Sequence, residues 1–298
     1  MYRLIVEGES ILGKSNNLAF SSDGDFIGIQ ITFDSLCDIP EGAVINLIIG
    51  TRKIVGIIVS KSLGNISISY TAIDFGMYLK NEVTKQFNNV STDVAIVSLL
   101  NEYGIKCKCV SIPTIVNDFF IDKSLKDIID ELLEKAENEQ GIKYSRRMQE
   151  TTVVISKIAD EIIKPSFKIK KDFSISKDIS EMKNKIIAIS GSGENASIVA
   201  TTENNKYISK YGLLQEIITV DDKDLPQAKQ IAENLLLEKC KVKYSTSLSL
   251  LVLSGGEDIL ANKLIYIDAG ELKGYYKIKS ASHTLSNNKH LVSVELEW

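Results

Sequence analysis

A chain of 298 residues, 44% hydrophobic and 25% charged, has the make-up of an ordinary globular protein with room for about two domains or three small ones. Its net charge of −4 divides into −5 over residues 1–150 (15 basic, 20 acidic) and +1 over residues 151–298 (20 basic, 19 acidic), and neither half is basic enough for a nucleic-acid binder. No run approaches the roughly 18 apolar residues of a membrane span, Met1–Glu7 meets an acid before any apolar signal core forms, and Cys37, Cys107, Cys109 and Cys240 read as reduced thiols of a chain folded in a cytosol.

Residues 1–80 read as β. Phe26–Phe33, Val44–Ile49, Lys53–Ser60 and Ile66–Ile73 are short, rich in Ile and Val, and separated by Gly, Asn, Asp and Ser turns. The segment 90–140 changes to helical spacing. Ser91/Thr92 precedes Ile96, Leu99, Leu100 and Tyr103. A strand, Ile105–Ile112, ends at Pro113. Ser124 and Asp127 then form a start like a capping box. The helix behind them puts Leu125, Ile128, Ile129, Leu132, Leu133 and Ala136 on one stripe, and Gly141 ends it. Two short strands follow, Lys143–Arg146 and Thr151–Ser156. Residues 157–185 are Lys-rich around Pro165, as a linker or edge strand would be. The β pattern resumes at Lys185–Ser190, Ala196–Thr202 and Lys206–Tyr211. A helix over 224–240 has Asp224 where an N-cap belongs and Pro226 just inside. Its apolar residues are Ala228, Ile231, Ala232, Leu235 and Leu236. Lys243–Leu253, Lys263–Asp268, Tyr275–Leu285 and Lys289–Trp298 close the chain as strands. The last two form a hairpin about Ser286-Asn287-Asn288.

Candidate chemistry is sparse. Gly191-Ser192-Gly193-Glu194-Asn195 follows a strand, but a phosphate cradle needs a helix directly behind it. Ala196–Ala200 is strand-like, so a hairpin turn is expected. Cys107 and Cys109 share one face of a strand, without the further ligands a structural zinc site requires. His283 and His290 sit on opposite arms of the closing hairpin and read as sheet residues. Asp221-Asp222-Lys223-Asp224 lacks the Gly and the closing Glu of a calcium loop. The sequence therefore predicts no catalytic residue, no metal site and no cofactor.

Several segments resemble a known family. Tyr70-Thr71-Ala72-Ile73-Asp74-Phe75 with Tyr78-Leu79-Lys80-Asn81 is similar to a conserved stretch of the XkdQ/YqbQ-type phage tail baseplate hub proteins. Ser124–Ile129 resembles their helix start. Ile179–Ile186, with Asn184, resembles a following segment. Lys210-Tyr211-Gly212-Leu213-Leu214-Gln215 resembles another, with Tyr211 where the family usually has Trp, and Ala228–Leu236 resembles the helix after it. Ser282-His283-Thr284-Leu285-Ser286-Asn287-Asn288 resembles the segment before the final strand. The matches run in order over about 70–298.

The resemblance implies a mainly β chain with an α/β insert (α+β) and two tail-tube-like β-barrel domains. The expected boundaries are 1–85 for the first, 86–160 for the insert, and 161–298 for the second with its helix. It implies a non-enzymatic, trimeric hub of a contractile phage tail, prophage or R-type bacteriocin. Such a hub joins a hexameric tail tube protein to a trimeric spike protein, beside other baseplate proteins. DNA would be present only as passing cargo, if the particle is a phage, and no membrane anchor is expected. The alternative is a tail-associated cell-wall-binding or peptidoglycan-hydrolysing protein; a free-standing β-rich adaptor is a third reading.

Overall fold

The computed structural model describes residues 2–25, 28–170, 172–191, 196–286 and 289–298. The expected strand start at Phe26–Ile27, the loop residues Ser192–Asn195 and the turn residues Asn287–Asn288 lie outside them.

The N-terminal strands are β1 (Tyr2–Val6), β2 (Ser15–Asp23), β3 (Ile29–Ser35), β4 (Val44–Ile49), β5 (Arg52–Leu63) and β6 (Ile68–Asp74); burial alternates along them except in β5, where Ile54–Ile58 is buried as a run. The insert holds β7 (Glu82–Gln86), α1 (Thr92–Glu102), β8 (Lys106–Cys109), β9 (Phe119–Ser124), α2 (Leu125–Gln140), β10 (Tyr144–Gln149) and β11 (Thr152–Lys157). Then come β12 (Ser166–Ile169), β13 (Lys185–Ser190), β14 (Ser197–Glu203), α3 (Asn205–Tyr211), β15 (Gln215–Thr219) and α4 (Ala228–Lys239). The chain finishes with β16 (Lys243–Ser254), β17 (Leu264–Ala269), β18 (Leu272–Ser286) and β19 (Lys289–Glu297).

The protein is mainly β, and one sheet dominates it. Among the described residues it has 14 strands, and its main path is β12-β16-β19-β18-β2-β3-β6-β5-β4-β1. Both ends of the chain therefore share one wall. The joint is β18, which is 15 residues long. Its first half pairs with β17, from Ala269↔Leu272 to Leu264↔Lys277. Its second half pairs with β2, from Ser280↔Asp23 to Leu285↔Leu18. The wall is curled, and its N-terminal and C-terminal half-barrels each pack over a core of their own. One core gathers Leu4, Phe20, Ile31, Ile45, Leu47 and Tyr70. The other gathers Leu248, Leu250, Ile265, Ile278, Val294 and Leu296.

Register makes the two faces of this wall chemically different. Leu250, Val292, His283, Phe20, Ile31, Ala72 and Ile58 form one row across seven strands on the core face. All seven are buried. One residue along, the opposite face carries Ser249, Ser293, Ser282, Ser21, Gln30 and Ile73, and on the other side Leu251, Leu291, Thr284, Ala19, Thr32, Thr71 and Ser60. None of these is buried. A period of two thus puts buried hydrocarbon on one side and a mixed, unburied face on the other, with short hydroxyl side chains concentrated on its central strands.

The insert packs α1 and α2 on a three-stranded sheet, β8-β11-β10. Leu99, Leu100, Ile128, Leu132 and Val153 are at its centre. A second small α/β unit, β14-β13-β15 under α4, has its own core of Ile186, Ala188, Val220, Ala228, Ala232 and Leu235. The two units meet where α4 crosses the end of α2. Asn234 Nδ2 donates to the carbonyls of Asn138 (2.9 Å) and Glu139 (3.1 Å), two of the terminal acceptors that α2 itself cannot satisfy.

The cap at α2 forms as its sequence implies. Ser124 Oγ accepts from the Asp127 amide at 3.1 Å, and Gly141 ends the helix at φ 68°. Three local readings need correction. Lys206–Tyr211 is helical, because Asn204 caps it through the Tyr207 amide and Gly212 stops it at φ 80°. Asp224 does not cap α4: Asp222–Gln227 is a 3-10 turn containing Pro226, and α4 starts at Ala228. The Asp224 carboxylate instead faces Lys135 of α2 at 3.3 Å. Ser91 precedes α1 without a side-chain cap bond, and Thr92 Oγ1 donates to the Thr114 carbonyl instead.

Candidate functional site

The residues that carry the family resemblance fall in three separate places. The first is the exit from the first half-barrel into the insert. Tyr70 is buried against Phe33, with ring centroids 5.1 Å apart. Its hydroxyl donates to the Cys37 carbonyl (2.8 Å) and accepts from the Ile39 amide (2.9 Å), which pins the loop after β3. Asp74 ends β6. Its two carboxylate oxygens accept from the amides of Ile29 (2.8 Å) and Gly76 (2.9 Å). Burial pushes its carboxyl up to about 7, against the pull of those two amides. Gly76 is a steric requirement, since a Cβ there would lie 2.9 Å from Asp74 Oδ1 and 3.0 Å from Gly28 Cα. Tyr78 is exposed, whereas Leu79 is buried in the insert core. The Asn81 carbonyl accepts from the first amide of α2, Leu125, at 3.0 Å. The segment 70–81 therefore fixes where the insert leaves the wall.

The second place is the entry to the small α/β unit. Asn184 is fully buried. Its Nδ2 donates to the Gly212 carbonyl (2.7 Å) and its Oδ1 accepts from the Leu214 amide (2.8 Å). Its own backbone bonds Leu214 and Asn204. One side chain thus ties β13 to the turn that ends α3. Tyr211 stacks near Tyr207 at 5.7 Å, with Lys210 Nζ 4.9 Å from its ring. Gln215 is exposed at the start of β15. Asn184→Ala is expected to remove two hydrogen bonds, at about 0.5–1.5 kcal/mol each. Hydrogen exchange should show the loss confined to residues 184–215, because the long wall does not use this contact.

The third place is the joint of the wall. His283 is fully buried in the apolar row, stacked on Phe20 with centroids 3.9 Å apart. Its Nε2 lies 2.7 Å from the Ile259 carbonyl, which can only accept, so Nε2 carries the proton. Nδ1 is then an acceptor, and His290 Nε2 donates to it at 2.8 Å. Burial, and secondarily His290, lower the His283 pKa to about 3. Stability from keeping this ring neutral is present above the ordinary value of 6.5 and is lost as pH falls towards 3. His283→Gln removes that dependence. The urea midpoint of the native chain should therefore approach that of the variant between pH 7.5 and pH 5, by roughly 2 kcal/mol.

Ion pairs that single-sequence reading does not reveal also close the joint. Arg52 of β5 reaches Asp258 at 2.5 Å, and Asp258 lies 3.5 Å from the buried Lys263. Glu161 pairs with Arg147 of the insert at 3.0 Å. Ser22 Oγ accepts from the Ala261 amide, and Asn262 Nδ2 donates to the Gly24 carbonyl. Residues some 240 positions apart in the chain meet here, with no local pattern to announce them. Cys107 and Cys109 are half-buried in β8, and burial pushes their thiols up to about 11 and about 12. Among the described residues no group of three or more His, Cys, Asp or Glu is placed to hold a metal. None of the three places joins a nucleophile to a base; the first and third join pieces of the wall to their neighbours, and the second joins pieces of the small α/β unit.

The comparisons with known proteins agree with this architecture. The sequence profile of the YqbQ-like family matches residues 16–297. The uncharacterized protein YqbQ of Bacillus subtilis strain 168 is 25% identical, over 98% of this chain and 92% of the relative. The 43 kDa tail protein of prophage MuSo2 from Shewanella oneidensis superposes with a TM-score of 0.70 at 12% identity, covering 99% of this chain and 97% of that one. A tail protein from Neisseria meningitidis MC58 gives 0.70 at 12% identity, covering 100% and 96%. The E. coli protein c3393, a type VI secretion component described as structurally similar to the T4 tail proteins gp27 and gp5, gives 0.56 at 9% identity, covering 99% and 76%. The fold is thus one seen in prophage tail proteins, and the chain belongs to the YqbQ-like family.

Proposed function

We propose that this protein is a structural hub of a contractile phage tail or tail-like particle. In this reading it assembles as a homotrimer in the baseplate, in the bacterial host cytoplasm, and joins the tail tube to the spike. The observation that carries the reading is the two-sided wall. One continuous sheet runs through both half-barrels, with buried hydrocarbon on one face and, on the central strands of the other, short hydroxyl side chains. The hydroxyl face is dented where the halves meet, in a hollow of about 330 Å³ among Ser21, Ser247, Ser280, Ser282 and Ser293. Three such walls, each contributing two half-barrels, match six tube subunits. Their hydroxyl faces would then line the lumen. Such a lining hydrogen-bonds water and offers passing DNA few cations to bind.

The reading assigns no catalysis to the chain. Purified protein is expected to leave isolated peptidoglycan intact. Release of soluble muropeptides by the pure chain, abolished in a point variant, would replace the structural role with a hydrolytic one.

A further inference from the structure

A cleft of about 430 Å³ separates α2 and β9 of the insert from the 219–224 loop and α4 of the small α/β unit. Its floor is apolar, built from Phe120, Leu132, Val220 and Ile231. Phe119 stands at its mouth 59% exposed, with Ile121 beyond it on the same strand 57% exposed. Its walls carry six carboxylates, those of Asp118, Glu131, Glu134, Glu139, Asp221 and Asp224, against the ammonium groups of Lys123 and Lys135. Both cations are already engaged. Lys135 lies between Asp118 (3.4 Å) and Asp224 (3.3 Å), and Lys123 is held by Glu131. Carboxylates thus outnumber ammonium groups six to two in the lining, around a hydrocarbon floor.

That combination selects one kind of occupant. An acidic peptide is repelled, and a purely apolar one leaves the wall carboxylates facing hydrocarbon. A lysine or arginine lays its aliphatic stem along the floor and its charge among the carboxylates, with the exposed Phe119 ring available to the cation. We propose that this cleft docks a basic, apolar-flanked segment of another protein of the particle. The proposal rests on the hub reading only for the origin of that segment; the recognition chemistry belongs to the cleft.

The test uses the full chain and a defined probe, a fluorescein-labelled octapeptide of alternating lysine and leucine. Its glutamate–leucine counterpart is the control. The lysine peptide is expected to bind and to slow hydrogen exchange over residues 118–124 and 219–224. The double variant Glu134→Lys/Glu139→Lys is expected to weaken binding at least tenfold. Glu9→Lys/Glu271→Lys, the same charge change at exposed positions outside the cleft, should leave it within about twofold. Equal weakening by both double variants would reduce the effect to net charge and overturn the proposal. So would protection elsewhere, or equal binding of both peptides. Because the assay contains no particle, these outcomes are independent of the copy number that decides the hub reading.

Discussion

Deleting Val294–Trp298 is expected to abolish cooperative folding of the C-terminal half-barrel. β19 lies between β16 and β18, and its last residues pair with both neighbours, Glu297 with Ser245 on one side and Lys277 on the other. Val294 and Leu296 are buried. Trp298 stacks on Tyr244 at 5.5 Å and meets Tyr276 edge-on at 4.7 Å. At about 1.5–3 kcal/mol for each fully buried apolar side chain, Val294 and Leu296 account for roughly 3–6 kcal/mol, and the half-buried Trp298 adds to this. That is comparable with the whole stability of a typical domain. Differential scanning calorimetry should show the loss of a transition, and the truncated chain should be absent from purified particles. A native-like transition with normal incorporation would mean that the strand is an appendage.

Asp74→Ala has the second-largest expected effect. It leaves the buried amides of Ile29 and Gly76 without acceptors, at about 1–3 kcal/mol each. The pH dependence has the opposite sign to that of His283. The folded-state pKa of Asp74 is raised from 3.8 to about 7. Its contribution is therefore fully present below 3.8 and declines as pH rises to about 7. The stability gap between native chain and variant should be widest near pH 4 and narrow by pH 8. Chemical denaturation across that range measures it. A gap that widens with pH would mean that Asp74 is held as an anion.

How far the sequence could be read depended on the range of the interaction. Strands such as Lys185–Ser190 and Val44–Ile49 were legible because they are short Ile-rich runs bounded by turn residues such as Gly191 and Gly50. The α2 stripe and its Ser124 cap were legible for the same local reason. The segment 206–211 misled because Tyr, Ile and Tyr suit a strand, while the decisive bond from the Tyr207 amide goes to Asn204, just outside it. Asp224 misled because its carboxylate had a partner, Lys135, 89 positions upstream. Composition also could not show that the first and last strands share one wall. The pairing of β2 with β18 sets Phe20 opposite His283, and the Arg52–Asp258 pair ties β5 to the 256–258 turn; neither leaves a periodic trace. The resemblance singled out Asp74, Asn184 and His283 without giving their work. Asp74 and His283 turn out to bond buried backbone groups at junctions of the wall, and Asn184 to bond the turn after α3.

The central claim is that the hydroxyl face of one continuous wall lines a lumen built from three copies. A cryo-EM reconstruction of the intact particle tests this most directly. The account predicts three copies of this chain around the axis, with Ser21, Ser282 and Ser293 facing the channel and the Leu250–Ile58 row turned away from it. Six copies, or a density in which those serines are buried against another protein and the channel is lined by the insert, would contradict it.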